Sequence, residues 1–197
     1  MQNEQQQHTQ DQSDFEIIEI CRKGNKHAFR LIIERYKDLI YSIALRFTRD
    51  PAAAEEVTQE TFVKAWNYLH RFEGRSKFST WLTAIAVNKA KDTIRTKQRV
   101  VSLDDMDSGI ETRSPESYHE DGPEEILMNE ELGKQLQRLI GGLPPHYREA
   151  FLLRHVESLS YEEISTILAI RIEAVKMRVF RARELLKERL SKEGHHG

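Results

Sequence analysis

The chain is poor in the features that stabilise secreted proteins or insert a protein into a membrane. Its one cysteine, Cys21, excludes an internal disulfide and is typical of a protein in a reducing compartment. No segment approaches the roughly 18–20 consecutive apolar residues that span a bilayer. The polar start, Met1–His8, also lacks the basic and apolar parts of a signal peptide. We therefore expect a cytoplasmic protein.

Signatures of catalysis are missing as well. The sequence has no Walker-type glycine-rich loop and no cluster of metal ligands, and its histidines offer no nucleophile and base at a recognisable spacing. Cys21 and His27 have no further cysteine nearby, so they make a poor zinc site. We expect no enzyme activity, no cofactor, no metal and no small-molecule substrate.

The net charge of −2 hides two opposed blocks. Residues 71–99 hold eight basic and two acidic residues, a net of +6, whereas residues 100–131 hold one basic and eleven acidic residues, a net of −10. Such segregation is more informative about binding partners than the total charge is.

Apolar residues recur at helical spacing along most of the chain, and no strand-like alternation of useful length occurs. The glutamine-rich residues 1–13 are predicted to be a disordered tail. Loss of periodicity together with Asp, Ser, Gly and Pro predicts a flexible acidic linker at 99–123. The sequence therefore predicts an all-α fold with two helical domains, 14–98 and 124–191, joined by that linker.

The first domain is predicted to contain four helices, at about 14–23, 26–48, 51–69 and 79–97. Asp50 as N-cap and Pro51 at the first helical position mark the start of the third, and Ser79 or Thr80 is expected to cap the fourth. The apolar side of the first helix is predicted to consist of Phe15, Ile17, Ile18 and Ile20. Ile33 is predicted to lie on the apolar side of the second helix.

Residues 160–183 read as two short helices joined by a tight turn, the second of them basic, which is typical of a helix-turn-helix. Ser160 and Glu163 form a capping box at the start of the first helix. The spacing of the second helix predicts a buried stripe of Ile172, Val175, Val179, Ala182 and Leu186.

The opposite side of that second helix presents Glu173, Lys176, Met177, Phe180, Arg181 and Glu184. Apolar side chains among basic ones suit a DNA groove, where they can contact thymine methyl groups while arginine reaches guanine edges or phosphates. Two other interpretations stay open: that this face is an ordinary solvated helix surface, or that some of its apolar residues pack on the preceding helix.

Helix 51–69 groups Glu56, Gln59, Glu60 and Val63 on one face. Acidic side chains beside an exposed apolar residue suggest a surface that contacts protein. The alternative is an ordinary solvated face with Phe62 and Trp66 in the core.

A loop at 71–78 interleaves basic and aromatic residues, and three polar residues follow on one face of the next helix: Arg71, Phe72, Arg75, Lys77 and Phe78, then Asn88, Lys91 and Arg95. Cations that track phosphate beside an aromatic face suit single-stranded nucleic acid. The alternative is a basic loop whose two phenylalanines belong to the core.

Three motifs together resemble the sigma factors of bacterial RNA polymerase, specifically the small extracytoplasmic-function group (ECF, group 4) of the sigma-70 family. Residues 54–66 resemble the segment that binds the polymerase clamp helices, and residues 78–95 the segment that melts and reads the minus-ten element. Residues 143–153 with the helix-turn-helix resemble the minus-thirty-five reader. The resemblance extends over about residues 24–190.

This resemblance implies roles and partners. Core-polymerase contacts fall on Glu56, Gln59, Glu60 and Phe62. Minus-ten DNA contacts fall on Arg71, Arg75, Lys77, Asn88, Lys91 and Arg95, with the loop capturing a flipped non-template base. Minus-thirty-five DNA contacts fall on Arg171, Glu173, Lys176, Met177, Phe180 and Arg181. The implied partners are core RNA polymerase (β′ clamp helices and β flap), promoter DNA and a separate anti-sigma factor.

The sequence departs from the family pattern at several positions. Glu173-Ala174 stands where Gly-Thr is frequent, and Met177 where Ser or Thr is usual. In the minus-ten helix, Thr83-Ala84 replaces a frequent Tyr-Arg pair, and Val87 replaces a common basic residue.

An alternative function is an autonomous helix-turn-helix transcriptional regulator that acts as a dimer without polymerase. It predicts tight binding of duplex DNA by the free protein, and it leaves helix 51–69 and the basic loop without a role.

Overall fold

The computed structural model describes residues 14–104, 133 and 135–193. These residues belong to two compact units, one on each side of the undescribed segment 105–132. Every regular element in the described residues is helical, which confirms the all-α fold class. The predicted tail 1–13 and most of the predicted linker lie outside the described residues. Within them, no helix is long and apolar enough to span a bilayer.

Four α-helices form the first unit: α1 (14–22), α2 (Phe29–Thr48), α3 (Pro51–Tyr68) and α4 (Phe78–Asp104). Short 3-10 turns at Lys26–Ala28 and Leu69–Arg71 precede α2 and follow α3. Helix α4 continues beyond the predicted end near Lys97, so residues 99–104 are helical and not part of an irregular linker.

The start of α3 follows the predicted capping chemistry. The Asp50 carboxylate accepts hydrogen bonds from the backbone N–H groups of Ala52 at 3.0 Å and Ala53 at 3.2 Å, and Pro51 occupies the first turn. These N–H groups have no partner within the helix, so the carboxylate stabilises the end that the sequence places there. Asp50 also pairs with Lys97, which ties this end of α3 to α4.

Helix α4 begins one residue before the predicted cap. The Trp81 N–H donates to the Lys77 carbonyl at 3.1 Å, so the helix includes Phe78, and both Ser79 and Thr80 lie inside its first turn. The reason is packing, because Phe78 is buried against Phe72 and Trp81 and fixes the chain there.

The core of the first unit collects apolar side chains from all four helices, with Ile18, Ile32, Ile40 and Leu82 fully buried. Three residues predicted to face this core are exposed instead: Phe15, Ile20 and Ile33. The helical turn of α1 directs Asp14, Ile17, Ile18 and Cys21 inward, because positions three and four residues apart share one face of a helix.

The second unit contains α5 (135–141), α6 (Pro145–Phe151), α7 (Tyr161–Leu168) and α8 (Ile172–Glu193). A π-helical turn, Leu152–Val156, extends α6. The Arg189 guanidinium holds α5 against α8 by donating to the carbonyls of Leu139 at 3.3 Å and Gly142 at 2.9 Å. An apolar cluster of Leu139, Leu143, Ala182 and Leu186 lies beneath this contact.

Candidate nucleic-acid interface

The capping box predicted for α7 is present. Ser160 Oγ accepts from the Glu163 N–H at 3.1 Å, and the Ser160 N–H donates to the Glu163 carboxylate at 2.9 Å. Helix α7 ends at Ala169 in the left-handed conformation (φ 53°), and Ser165 Oγ donates to the Ile170 carbonyl at 2.6 Å. These bonds fix the tight turn from which α8 departs, so they determine which side chains α8 presents.

Helix α8 has two chemically different sides. Val175, Val179, Ala182 and Leu186 are buried as predicted, and Ile172 is half-buried. Met177 is 56% exposed and Phe180 is 55% exposed, so neither is taken up by packing on the preceding helix. Arg171, Glu173, Lys176 and Arg181 are exposed as well. The structure therefore leaves a mixed apolar and basic surface on α8 open to solvent.

Two residues that sequence reasoning missed border this surface. The Tyr161 ring lies 4.7 Å from the Arg154 guanidinium and 5.9 Å from the Lys176 ammonium, both within cation–π range. Arg154 also donates to the Leu159 carbonyl at 2.7 Å. Tyr161 thus connects the start of α7 to the basic side of α8. Helical periodicity carries no signal for this contact, because it joins three different elements.

Positive charge also affects a histidine on the turn after α6. Partial burial beside Phe151, whose ring centre lies 4.7 Å from that of His155, lowers the pKa of His155 below its usual value. The neighbouring charges of Arg183 and Arg154 lower this pKa further. The lowered pKa disfavours the charged imidazole, so the positive charge near this turn comes mainly from the arginines.

Helix α3 exposes the polar face that its sequence predicts. Glu56, Gln59 and Glu60 are exposed, and Val63 is 61% exposed, so an apolar side chain lies in solvent among acidic and amide groups. Glu60 forms an ion pair of 2.5 Å with Lys89 of α4, a contact between helices that sequence spacing does not reveal.

Phe62 does not lie on this face, so its assignment as a surface residue that contacts core polymerase is corrected. Its side chain is only 7% exposed and packs in the core of the first unit. Trp66 also packs against that core, with its ring 5.2 Å from that of Phe29. Phe62 therefore supports α3 from the inside, and the exposed apolar residue of the face is Val63.

The loop before α4 spans residues 72–77, and its flanking aromatic side chains are buried. Phe72 contacts Phe78 at 5.3 Å and Trp81 at 5.3 Å between ring centres, and Phe78 contacts Tyr36 at 5.9 Å. Of the two interpretations of this loop, the structure supports the basic loop whose two phenylalanines belong to the core. The two rings form the floor of the loop because they complete the core beneath it.

The cations at this loop are exposed. The Arg71 guanidinium lies 5.1 Å from the centre of the Tyr68 ring, and Arg75 pairs with Glu73 at 2.6 Å. Lys77 precedes α4 directly. The loop thus offers basic side chains over an apolar floor.

The three polar residues predicted on α4 occupy one side of the helix. Asn88 and Arg95 are exposed and Lys91 is half-buried, and Arg95 lies 3.6 Å from Asp92. Since a helix rises about 1.5 Å per residue, Asn88 lies about 15 Å along α4 from Phe78. The loop and these residues therefore form a strip and not a single pocket. Thr83 and Val87, which replace polar residues of the family pattern, are buried.

The described residues bring together no group of three His, Cys, Asp or Glu side chains that could hold a metal ion. The candidate sites are therefore surfaces: one on α8 in the second unit, and two in the first unit, on α3 and along the loop and α4.

Comparison with known proteins gives the same division of the chain. A family model described as Sigma-70 region 2 matches residues 32–100, and one described as Sigma-70, region 4 matches residues 133–186. The chain is 34% identical over 189 residues to the RNA polymerase sigma-H factor of Pseudomonas aeruginosa, covering 92% of this chain and 95% of that protein. It is 36% identical over 182 residues to the ECF RNA polymerase sigma-E factor of Escherichia coli K12, covering 90% and 94% respectively.

Solved structures share the fold. One is the sigma factor RpoE of Bartonella quintana in complex with the anti-sigma factor NepR, with a TM-score of 0.66 and 25% identity over 83% of this chain and 96% of that one. Another is CnrH in complex with the cytosolic domain of CnrY, with a TM-score of 0.64 and 24% identity over 89% and 96%.

Proposed function

Because the chain belongs to the sigma-70 family and resembles its extracytoplasmic-function members along nearly its whole length, we propose that it binds core RNA polymerase through its first unit and reads two promoter elements, one with each unit. As a sigma factor it acts in transcription initiation. The division of labour between the units and the residues that perform it are our proposal.

We propose that the exposed surface of α8 binds the minus-thirty-five element. Met177 and Phe180 are each more than half exposed beside Lys176 and Arg181, whereas Val175 and Val179 are buried. Exposed apolar side chains cost free energy in water and gain it against thymine methyl groups in a major groove. Arg181 and Lys176 supply contacts to guanine edges or phosphates, and Glu173 can accept from a cytosine amino group.

We propose that the exposed face of α3 binds core polymerase. Glu56, Gln59 and Val63 are exposed on adjacent turns, and their acidic character disfavours a contact with DNA. Glu60 shares this face while paired with Lys89, so the pair defines its border with α4. Phe62 contributes through the packing that holds α3 in place.

We propose that the loop 72–77 and the strip of polar residues along α4 bind the minus-ten element. Arg71, Arg75 and Lys77 are exposed, so their positive charges are available to the phosphates of a displaced strand. Since Phe72 and Phe78 are buried, the base is held by the loop backbone and polar side chains and not by stacking on these rings. The binding energy of the strand opens the duplex, without nucleotide hydrolysis or any catalysed reaction.

A separate anti-sigma protein is proposed as the regulator, in the cytoplasm where the polymerase operates. The sigma factor RpoE of Bartonella quintana, which has a similar fold, is known in complex with the anti-sigma factor NepR. The exposed apolar residues Val63, Met177 and Phe180 give a masking partner surfaces that core polymerase and DNA also need.

Family membership does not favour an autonomous regulator, and a binding measurement separates the two functions. Fluorescence anisotropy of a labelled promoter duplex is recorded with the protein alone, with core polymerase alone and with both. We expect sequence-specific binding only with both, and Arg181→Ala to weaken it about 5- to 150-fold at a promoter where Arg181 contacts a base, from the about 1–3 kcal/mol of such a contact.

Lys187→Ala is the matched control, since Lys187 is an exposed cation of α8 outside the proposed contact surface. Tight specific binding by the protein alone, independent of core polymerase, contradicts the proposal and supports the autonomous regulator.

A further inference from the structure

Helix α1 has no role in the proposed function, and its residues precede the part of the chain matched by the region 2 family model, which begins at residue 32. Its contacts nevertheless lead to both ends of the loop 72–77. One contact comes from Arg22 near the end of α1, and the other from Asp14 at its start.

Arg22 acts at the first end of the loop. Its guanidinium donates through one nitrogen to the carbonyls of Leu69, at 3.1 Å, and Phe72. Through its other terminal nitrogen it pairs with Glu19 at 2.7 Å. The Arg22 side chain is only 29% exposed, although it lies at the surface.

The two carbonyls that Arg22 binds lie at the two ends of the 3-10 turn after α3, because Leu69 is the first residue of the turn and Phe72 follows its last residue. The Leu69 carbonyl also accepts from the Phe72 N–H at 3.2 Å, so Arg22 is its second donor. Carbonyls at a helix end carry partial negative charge and attract a cation. A guanidinium supplies charge and donor geometry together, so it fixes the point at which the loop leaves the turn.

Asp14 acts at the second end through Tyr36. Its buried carboxylate accepts hydrogen bonds from Tyr36 Oη and from Arg35. The Tyr36 ring lies 5.9 Å from that of Phe78, the first residue of α4, directly after the loop. Helix α1 therefore contacts the first end of the loop directly through Arg22 and the second end indirectly through Tyr36.

We propose that Arg22 of α1 is a positioning residue for promoter opening, because it holds the loop 72–77 in the conformation that receives the displaced DNA strand. The proposal rests on the strand-capture role assigned to that loop above. It extends the minus-ten machinery to a helix whose own side chains need not contact DNA.

The test compares Arg22→Met, which keeps an unbranched stem but no donor, with Arg22→Lys, whose ammonium can still donate to both carbonyls. Arg30→Met is the matched control, because Arg30 is 82% exposed and its ion pair with Glu34 stays within α2. Each variant is assembled into holoenzyme, and its affinity for core polymerase is measured first. Strand opening is then followed by the fluorescence of 2-aminopurine in the non-template strand of a promoter that the wild type transcribes.

We expect all three variants to bind core polymerase as the wild type does. Arg22→Met removes the donations to both carbonyls and reduces the equilibrium for strand opening by at least about two- to tenfold, the range for the loss of one such hydrogen bond. Arg22→Lys restores most of it, and Arg30→Met leaves it unchanged. A merely structural role for Arg22 lowers core binding and strand opening together, and that outcome overturns the inference.

Equal strand opening by Arg22→Met and the wild type also overturns the inference while leaving the proposed function intact. If the wild-type holoenzyme opens no promoter, the proposed function fails and the inference fails with it. Should Arg22→Met not fold, Arg22→Gln takes its place, because its amide still donates to one carbonyl. The expectation of intact core binding and reduced opening is the same.

Discussion

Truncation of Phe180 to alanine tests whether this side chain contacts DNA or belongs to the core of the second unit. Phe180 is 55% exposed, so less than half of its side chain contributes to folding. Full burial of a phenylalanine stabilises by about 1.5–3 kcal/mol, so this partial burial is worth about 1 kcal/mol. The better helix propensity of alanine offsets part of that loss. We therefore expect Phe180→Ala to change the free energy of unfolding by less than about 1 kcal/mol.

The expected effect on promoter binding is larger. If DNA covers the exposed part of the ring, about 110 Å² of apolar surface leaves water, which is worth up to about 2.8 kcal/mol at 25 cal/mol per Å². Imperfect contact reduces this, so we expect a loss of about 1–2.5 kcal/mol, or about 5- to 70-fold in the Kd of holoenzyme for its promoter. Fluorescence anisotropy with a labelled duplex measures this change directly.

Val179→Ala provides the matched control, because Val179 is the neighbouring residue and is buried. Its truncation removes packed atoms from the core and is expected to cost about 1–3 kcal/mol of stability. Trp66 and Trp81 are the two tryptophans of the chain, and both belong to the first unit, so tryptophan fluorescence follows that unit alone. Circular dichroism follows both units, and the difference between the two signals reports the second.

Two outcomes refute the reasoning about α8. If Phe180→Ala destabilises the second unit as much as Val179→Ala does, the ring is a core residue and α8 presents a different side. If Phe180→Ala alters neither stability nor promoter affinity, the exposed ring has no contact with DNA.

Further predictions concern the first unit. Asp50→Ala removes the carboxylate that caps α3, and we expect it to lower stability by about 1–2 kcal/mol in urea unfolding followed by tryptophan fluorescence; an unchanged midpoint contradicts the capping role. Hydrogen bonds from Lys97 and from the Ala53 N–H lower the pKa of Asp50 below 3.8. Its contribution is therefore complete above that value and declines as the pH falls through the lower folded-state pKa, and Asp50→Asn should lack this dependence. Val63→Glu, on the exposed face of α3, should weaken core-polymerase binding at unchanged stability, and a wild-type affinity for core polymerase argues against that face.

Local sequence signals predicted the parts of the fold that depend on neighbouring residues. The Asp50 cap, the Ser160–Glu163 capping box and the buried stripe of α8 are each set by residues within one or two turns of each other, and all three are confirmed. The open side of α8 was also predictable, because the apolar stripe leaves only one side for Met177 and Phe180.

Features that depend on packing between helices were not predictable from spacing. Phe72 and Phe78 sit among basic residues in the sequence, yet they are buried because the core beneath the loop accepts them. The Arg22 contacts with Leu69 and Phe72, and the Glu60–Lys89 pair, join residues far apart in the chain. Their existence depends on how the helices cross, which local periodicity does not encode.

Reconstituted transcription measures whether this protein directs core RNA polymerase to promoters. Purified protein is added to core RNA polymerase on a library of genomic promoters, and the 5′ ends of the transcripts are mapped with and without it. We expect initiation that depends on this protein at a defined set of promoters, all of which share two spaced elements. Transcripts that are identical with and without the protein, or a protein that does not bind core polymerase, would contradict this expectation.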